Sequence, residues 1–405
     1  MAPTHPWTFR PRFRRNAFGW RSQPAMQRIE EAVAEIKDVA AHDPALAAEG
    51  AVIFLEKLSP AIAQVDSSSG AIGRTVNWAI FELARIIGAA PASSEQRETW
   101  LQRLWDAGEA DEIPYLEALG DAWGLACGSV EVASEQADRL LVGLREAWEG
   151  PKKGQRSFTG ESHCLSALLA AERYEEVLEW VEKAPYTMWH DVKFGVKALV
   201  AMGRPLDAVA YAEEKSGTSD SPGVAHACEA ILRDAGMEEE AYANYAFVVH
   251  EHASYLNWFR GVTKAYPTIP KARVLADLVA HTPGKEGKWF AAARSAKLYD
   301  EAIRLVQISP CEPKTLMKAA RAETLKRPKF AVEAGLAALR WQVEGHGYKA
   351  VANDARDAFA ITMRAAEAAG EVEAVRAQVR AWVENPPKGE NKMVRKLREC
   401  LGEER

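Results

Sequence analysis

The chain has 405 residues, 48% of them hydrophobic and 27% charged, with a formal net charge of −6. That balance supports a packed core and excludes the low-hydrophobicity, high-charge composition of a disordered chain. Ala-, Glu- and Leu-rich segments recur while alternating Val, Ile and Thr runs are nearly absent, so an all-α protein is expected.

The first element is WTFRPRFRRNAFGWRS, residues 7–22, with five Arg, five Trp or Phe and no acid. It forms most of a basic-aromatic arm over residues 1–25. So many rings are too apolar to be left in water, so an ordered strap without regular helix is expected, its aromatics pressed onto the first helical hairpins. Its Arg10, Arg12, Arg14 and Arg15 then either meet the acids of residues 95–149 or stay free for a partner. The arm lacks the apolar run of a secretory signal, and AVIFL at residues 51–55 falls far short of the ~18 apolar residues of a membrane span. A cytoplasmic protein with no membrane contact is the expectation.

Helical hairpins are expected over residues 26–150. Helices are placed at 27–41, from Asp43 as cap with Pro44 in the first turn, and at 70–87, 114–126 and 134–148. Trp100, Leu101, Leu104 and Trp105 recur at helical spacing and should face a core. In DSSSG, residues 66–70, Asp66 or a following Ser caps the next helix. Alternatively Ser67, Ser68 and Ser69 hold an anion at the free amides of the helix start. Linkers fall at 150–160 and 216–223, where Gly, Ser, Pro and charge cluster, and the first is the expected domain boundary. Beyond it lie a repeat region over 160–386 and a basic tail or helix over 387–405.

Five stretches share one pattern: LLAAERYEEVLEWV, LVAMGRPLDAVAYA, LRDAGMEEEAYANY, AARSAKLYDEAIRLV and AAEAAGEVEAVRAQV. In each, an Ala-rich helix end meets a turn at Glu172, Gly203, Gly236, Lys297 or Gly370, and acids follow. Five residues past the turns stand Val177, Ala208, Ala241, Ala302 and Val375, narrow side chains that let two helices approach. The first intervals are near the 34-residue period of two helices and a tight turn. Over residues 164–386 the chain therefore resembles the tetratricopeptide family, although the family's first-helix Trp and Gly-Tyr pair are not clearly kept. The resemblance implies an α-solenoid of antiparallel hairpins that binds other proteins. Residues 47–73 resemble an uncharacterised family of bacterial helical proteins, a likeness that implies no activity.

Motifs of catalysis are scarce. Gly284-Lys-Glu-Gly-Lys has the wrong spacing for a phosphate loop, and residues 282–289 read as a loop before a helix carrying Trp289 and Phe290. His250 and His252, two apart, do not share a helix face for a metal. His163 and Cys164 are adjacent and point apart, and a lone Cys is usually a small buried hydrophobe. The carboxylates Glu109, Asp111 and Glu112, like Glu238 to Glu240, read as solvated acids at helix starts and loops. Cys127, Cys164, Cys228, Cys311 and Cys400 are widely spaced and read as reduced thiols. No catalytic residue, metal or cofactor is expected.

Charge is unevenly spread along the chain. Residues 1–29 hold six Arg and no acid, residues 95–149 four Arg against thirteen acids, and residues 253–330 fifteen Lys or Arg against six acids. The last stretch interleaves Trp258, Phe259, Tyr266, Trp289 and Phe290 with its bases. In one reading the aromatics are buried and the bases meet acids or a protein. In the other, bases and rings bind RNA or single-stranded DNA. A pI near 6.0 favours the first. The expectation is a non-enzymatic scaffold that binds a protein, with contacts at Arg10, Arg12, Arg14, Arg15, Trp258, Arg260, Lys264, Lys288 and Trp289. Nucleic-acid binding is the alternative, with a bacterial defence or mobile-element system as the setting.

Overall fold

A computed structural model of the chain describes residues 5–150, 158–186, 188–216 and 222–402. Among the described residues the protein is all-α, with twenty-one α-helices and no strand. No helix among them is long and apolar enough to cross a membrane. The chain divides into two compact units, Met1–Gly236 and Met237–Arg405. Most of both expected linkers, residues 151–157 and 217–221, lies outside the described residues.

The first unit contains α1 (Ser22–Ala40), α2 (Pro44–Ile62), α3 (Ala71–Ala89), α4 (Ser94–Glu109), α5 (Ala118–Cys127) and α6 (Val130–Glu149). It continues with α7 (Glu161–Ala170), α8 (Tyr174–Lys183), α9 (Trp189–Ala201), α10 (Pro205–Ser216) and α11 (Pro222–Asp234). Each odd-numbered helix from α1 to α9 packs on the next odd-numbered one, and the even-numbered helices pack against this row. Helices α6 and α7 lie against each other, so the compact unit runs on past residues 150–160 to Gly236.

Local chemistry explains several helix ends. Asp43 accepts the Leu46 amide at 3.0 Å with Pro44 behind it, as expected for the start of α2. Three starts differ from the sequence reading. Helix α1 begins at Ser22 instead of Gln27, because Pro24 is tolerated in a first turn. Ser129 caps the Val132 amide at 3.3 Å and starts α6 before Ser134. Helix α5 begins at Ala118 instead of Pro114, because the Asp111 carboxylate takes the Leu116 amide at 2.7 Å and holds the chain in a turn.

The arm is a strap of turns ahead of α1. Phe9 and Phe13, each 2% exposed, meet Phe54 of α2 with ring centroids 5.3 and 4.8 Å apart. Trp7 is buried against Gly50, where even a methyl group would run into the indole. Backbone bonds complete the seam: the Thr8 amide donates to Glu35 at 2.7 Å and the Asn16 amide to the Pro60 carbonyl at 2.9 Å. Two rings depart from the expectation, since Phe18 is half-buried and Trp20 is 72% exposed. Only the Trp20 carbonyl is engaged, by the Asp66 amide at 2.9 Å.

The second unit contains α12 (Glu238–Val249), α13 (Tyr255–Ala265), α14 (Lys271–His281), a 3-10 turn at Glu286–Trp289, and α15 (Phe290–Ser295). It ends with α16 (Tyr299–Ile308), α17 (Pro313–Glu323), α18 (Pro328–Val343), α19 (Ala352–Ala369), α20 (Val372–Glu384) and α21 (Lys392–Leu401). The expected C-terminal tail is thus a helix, seated by Met393, Val394 and Leu397.

All five turn positions of the repeated pattern are left-handed. Gly203, Gly236 and Gly370 have φ of 74°, 76° and 73°, and Glu172 and Lys297 adopt 59° and 64° despite their side chains. Val177, Ala208, Ala241, Ala302 and Val375 are all buried. Helices α7 and α8, α9 and α10, α15 and α16, and α19 and α20, which flank four of these turns, are in contact with each other.

Candidate functional site

The first turns of α7 and α9 lie side by side. Helix α7 is pressed close to α5 because Gly120 and Gly124 share one face of α5. A Cβ at Gly120 would stand 2.9 Å from Ser162 Cβ, and one at Gly124 would collide with the Ser166 carbonyl. Ser166 Oγ accepts the Gly124 amide and donates to the Asp121 carbonyl, both at 3.0 Å, which locks the pair.

This packing delivers Glu161, Ser162 and His163 to a recess of about 370 Å³ that Trp105, Glu109, Asp111, Glu117 and His190 also line. A second hollow of about 340 Å³ shares Pro114, Glu117, Ser162 and His190 with it and adds Asn77, Asp121 and Lys193. The two form one trough across α3, α4, α5, α7 and α9. Its charge is mostly negative. Lys193 is held by Asp121 at 2.6 Å, which leaves Glu109, Asp111, Glu117 and Glu161 to set the potential.

Glu161, His190 and Asp191 each offer a ligand atom within 4.8 Å of the others, the one such group of three found among the described residues. Asp191 is 4% exposed, its Oδ2 lies 3.2 Å from His190 Nε2, and its Oδ1 has no hydrogen-bond partner. Burial pushes the Asp191 carboxyl up to about 6, and charge on His190 pulls it back. The sequence reading named none of these three. Their separations of 29 and 30 residues match one helical hairpin, so only the packing of α7 on α9 unites them.

His163 borders the recess between Trp105 and Trp123, with ring centroids 5.1 and 4.8 Å away. Burial drives its imidazole down to about 4, against a hydrogen bond that the ring donates to the Thr159 backbone. The neighbouring Cys164 points to the Ala137 carbonyl, and burial pushes its thiol up to about 12. Burial does the same to Cys127 and Cys311, Cys228 is also buried, and only Cys400 is partly open. One thiol of the five should therefore react quickly with an aromatic disulfide reagent at pH 8, and all five in guanidinium. Two or more fast thiols in the native protein would contradict this arrangement.

The residues expected to meet a partner are scattered. Arg12 pairs with Glu31 at 3.2 Å, and Arg15 reaches Glu112 of the acidic stretch at 3.6 Å. Arg10 and Arg14 are exposed. Trp258 and Trp289, 5% and 0% exposed, are core residues with ring centroids 5.6 Å apart, so neither indole offers a face for stacking. Around them Arg260, Lys264 and Lys288 remain at the surface. At DSSSG, the Asp66 carboxylate takes the Ser68 amide at 3.0 Å and Ser69 Oγ the Ala71 amide at 3.3 Å, but the cap of α3 is Gly70, left-handed at φ 68° with no side-chain bond, so neither Asp66 nor a Ser is the cap expected from the sequence. That hydrogen bond from the Ser68 amide also lowers the Asp66 pKa. His250 and His252 follow α12 in a loop, and the His252 Nδ1 accepts the Ser254 amide at 2.9 Å.

No family model matches the chain, and no curated protein matches it.

Proposed function

We propose that the chain is a non-enzymatic helical-repeat scaffold, an α-solenoid of tetratricopeptide-like hairpins, that binds a Lys- or Arg-rich segment of a protein partner. The observation that carries the reading is the trough itself, a recess lined from five helices, α3, α4, α5, α7 and α9. Stacked helical pairs present such surfaces to extended chains. The negative potential selects a cationic segment and repels phosphate. Burial of Trp258 and Trp289 weighs against base stacking in the second unit, and the high thiol pKa of Cys164 against a nucleophile beside His163.

The test is fluorescence anisotropy with a labelled Lys/Arg-rich peptide, its Glu-substituted counterpart and a single-stranded oligonucleotide. The basic peptide should bind and weaken with salt, while the other two stay free. The double variant Glu109→Lys/Glu117→Lys should lose at least about tenfold in affinity, or ~1.4 kcal/mol. Binding of the oligonucleotide alone, abolished by Glu at Arg10, Arg12, Arg14 and Arg15, would replace this reading with a nucleic-acid one.

A further inference from the structure

We infer that Glu161, His190 and Asp191 form a binding site for a divalent transition-metal ion at the floor of the trough. Acids at helix starts have an ordinary use, which is to accept the free amides of the first turn. Asp191 does not fit that use, because its buried Oδ1 accepts nothing. A buried carboxylate oxygen without a donor is costly, and a cation removes the cost.

The Lys193 ammonium acts on Asp191 through its charge but makes its close contact with Asp121, at 2.6 Å. The donor set is one imidazole nitrogen and two carboxylates, matching the charge of a divalent ion. Zn²⁺ binds such atoms at about 2.0–2.2 Å in a tetrahedron, so ligand atoms on one ion stand ~3.4 Å apart. Atoms lying within 4.8 Å of one another reach that arrangement by small side-chain rotations, and the His190 ring, half exposed, is free to make them.

An outer shell is also present. Trp148 Nε1 donates to Glu161 Oε1 at 3.1 Å, which orients the carboxylate and leaves Oε2 for an ion. A nitrogen in the set favours Zn²⁺ or Co²⁺ over Mg²⁺ and Ca²⁺, which take oxygen ligands. With three protein ligands, a fourth position remains open toward the recess. The inference is independent of whether a peptide docks in the trough.

The experiment uses the full chain without a polyhistidine tag, stripped with a chelator and titrated calorimetrically with Zn²⁺, then with Mg²⁺. One equivalent of Zn²⁺ should bind, Mg²⁺ should bind far more weakly, and Co²⁺ should give visible absorption bands of nitrogen and oxygen coordination. His190→Ala and Asp191→Asn should each weaken Zn²⁺ at least about tenfold. Asp191→Asn keeps the side-chain shape, and metal-free it should melt no lower than the parent, which separates loss of a ligand from loss of fold. Absence of saturable Zn²⁺ binding by the folded parent, or full-strength binding by the His190→Ala/Asp191→Asn double variant, would overturn the inference.

Discussion

Replacing Arg97 with Ala is expected to destabilise the first unit by about 3–5 kcal/mol, the cost of breaking a buried charged network. The Arg97 guanidinium is buried and donates to four backbone carbonyls: Ile87, Gly88 at 3.2 Å, Ala90 at 2.6 Å and Ala126 at 3.4 Å. These close the C-terminal ends of α3 and α5, which have no amides of their own to offer. The positive charge also suits the negative ends of both helix dipoles. Burial lowers the Arg97 pKa, yet a guanidinium stays protonated.

Without it the Gly88, Ala90 and Ala126 carbonyls lose this donor and Ile87 keeps only the Ala90 amide at 3.3 Å, in a buried place where the backbones of Gly88 and Gly128 nearly touch. At about 2–4 °C per kcal/mol for a unit of this size, melting should fall by roughly 6–20 °C. Arg97→Lys should recover only part, since one ammonium cannot span four acceptors. A fall below about 1 kcal/mol in urea denaturation would show that the network is dispensable.

The strap carries the second large effect. Phe13→Ala should cost about 3–5 kcal/mol, as for other buried aromatic truncations, and removal of residues 1–21 should cost more. Trp20→Ala provides the contrast: the ring is exposed, so the change should stay within about 0.5 kcal/mol. Equal effects of Phe13→Ala and Trp20→Ala, or unchanged melting of the truncated chain, would mean that the seam along α2 adds nothing to stability.

Local rules made much of the fold legible. The left-handed turns at Gly203, Gly236 and Gly370 could be read from glycine, and those at Glu172 and Lys297 from their place in the repeated pattern. The Asp43–Pro44 start of α2 was equally plain. Composition proved a poor guide to the direction in which a side chain points. In residues 253–330 bases and rings alternate in sequence, but helix geometry sends Trp258 inward and Arg260 outward. Arg97 counted only as one base in an acidic stretch, with nothing nearby to mark it as a cap for two other helices. The trough was hidden for the same reason, because Glu161, His190 and Asp191 meet only through the packing of α7 on α9.

The seam between strap and α2 has a consequence for how the protein is made. Trp7, Phe9 and Phe13 are translated before Gly50, Phe54 and Pro60, the positions that cover or anchor this segment. Until then a nascent chain carries three bare rings among arginines, beside a surface of ribosomal RNA phosphates that attracts such a charge. Most segments of a growing chain can settle in the order they emerge. This one must wait for α2, so its docking marks the moment at which the first hairpin closes.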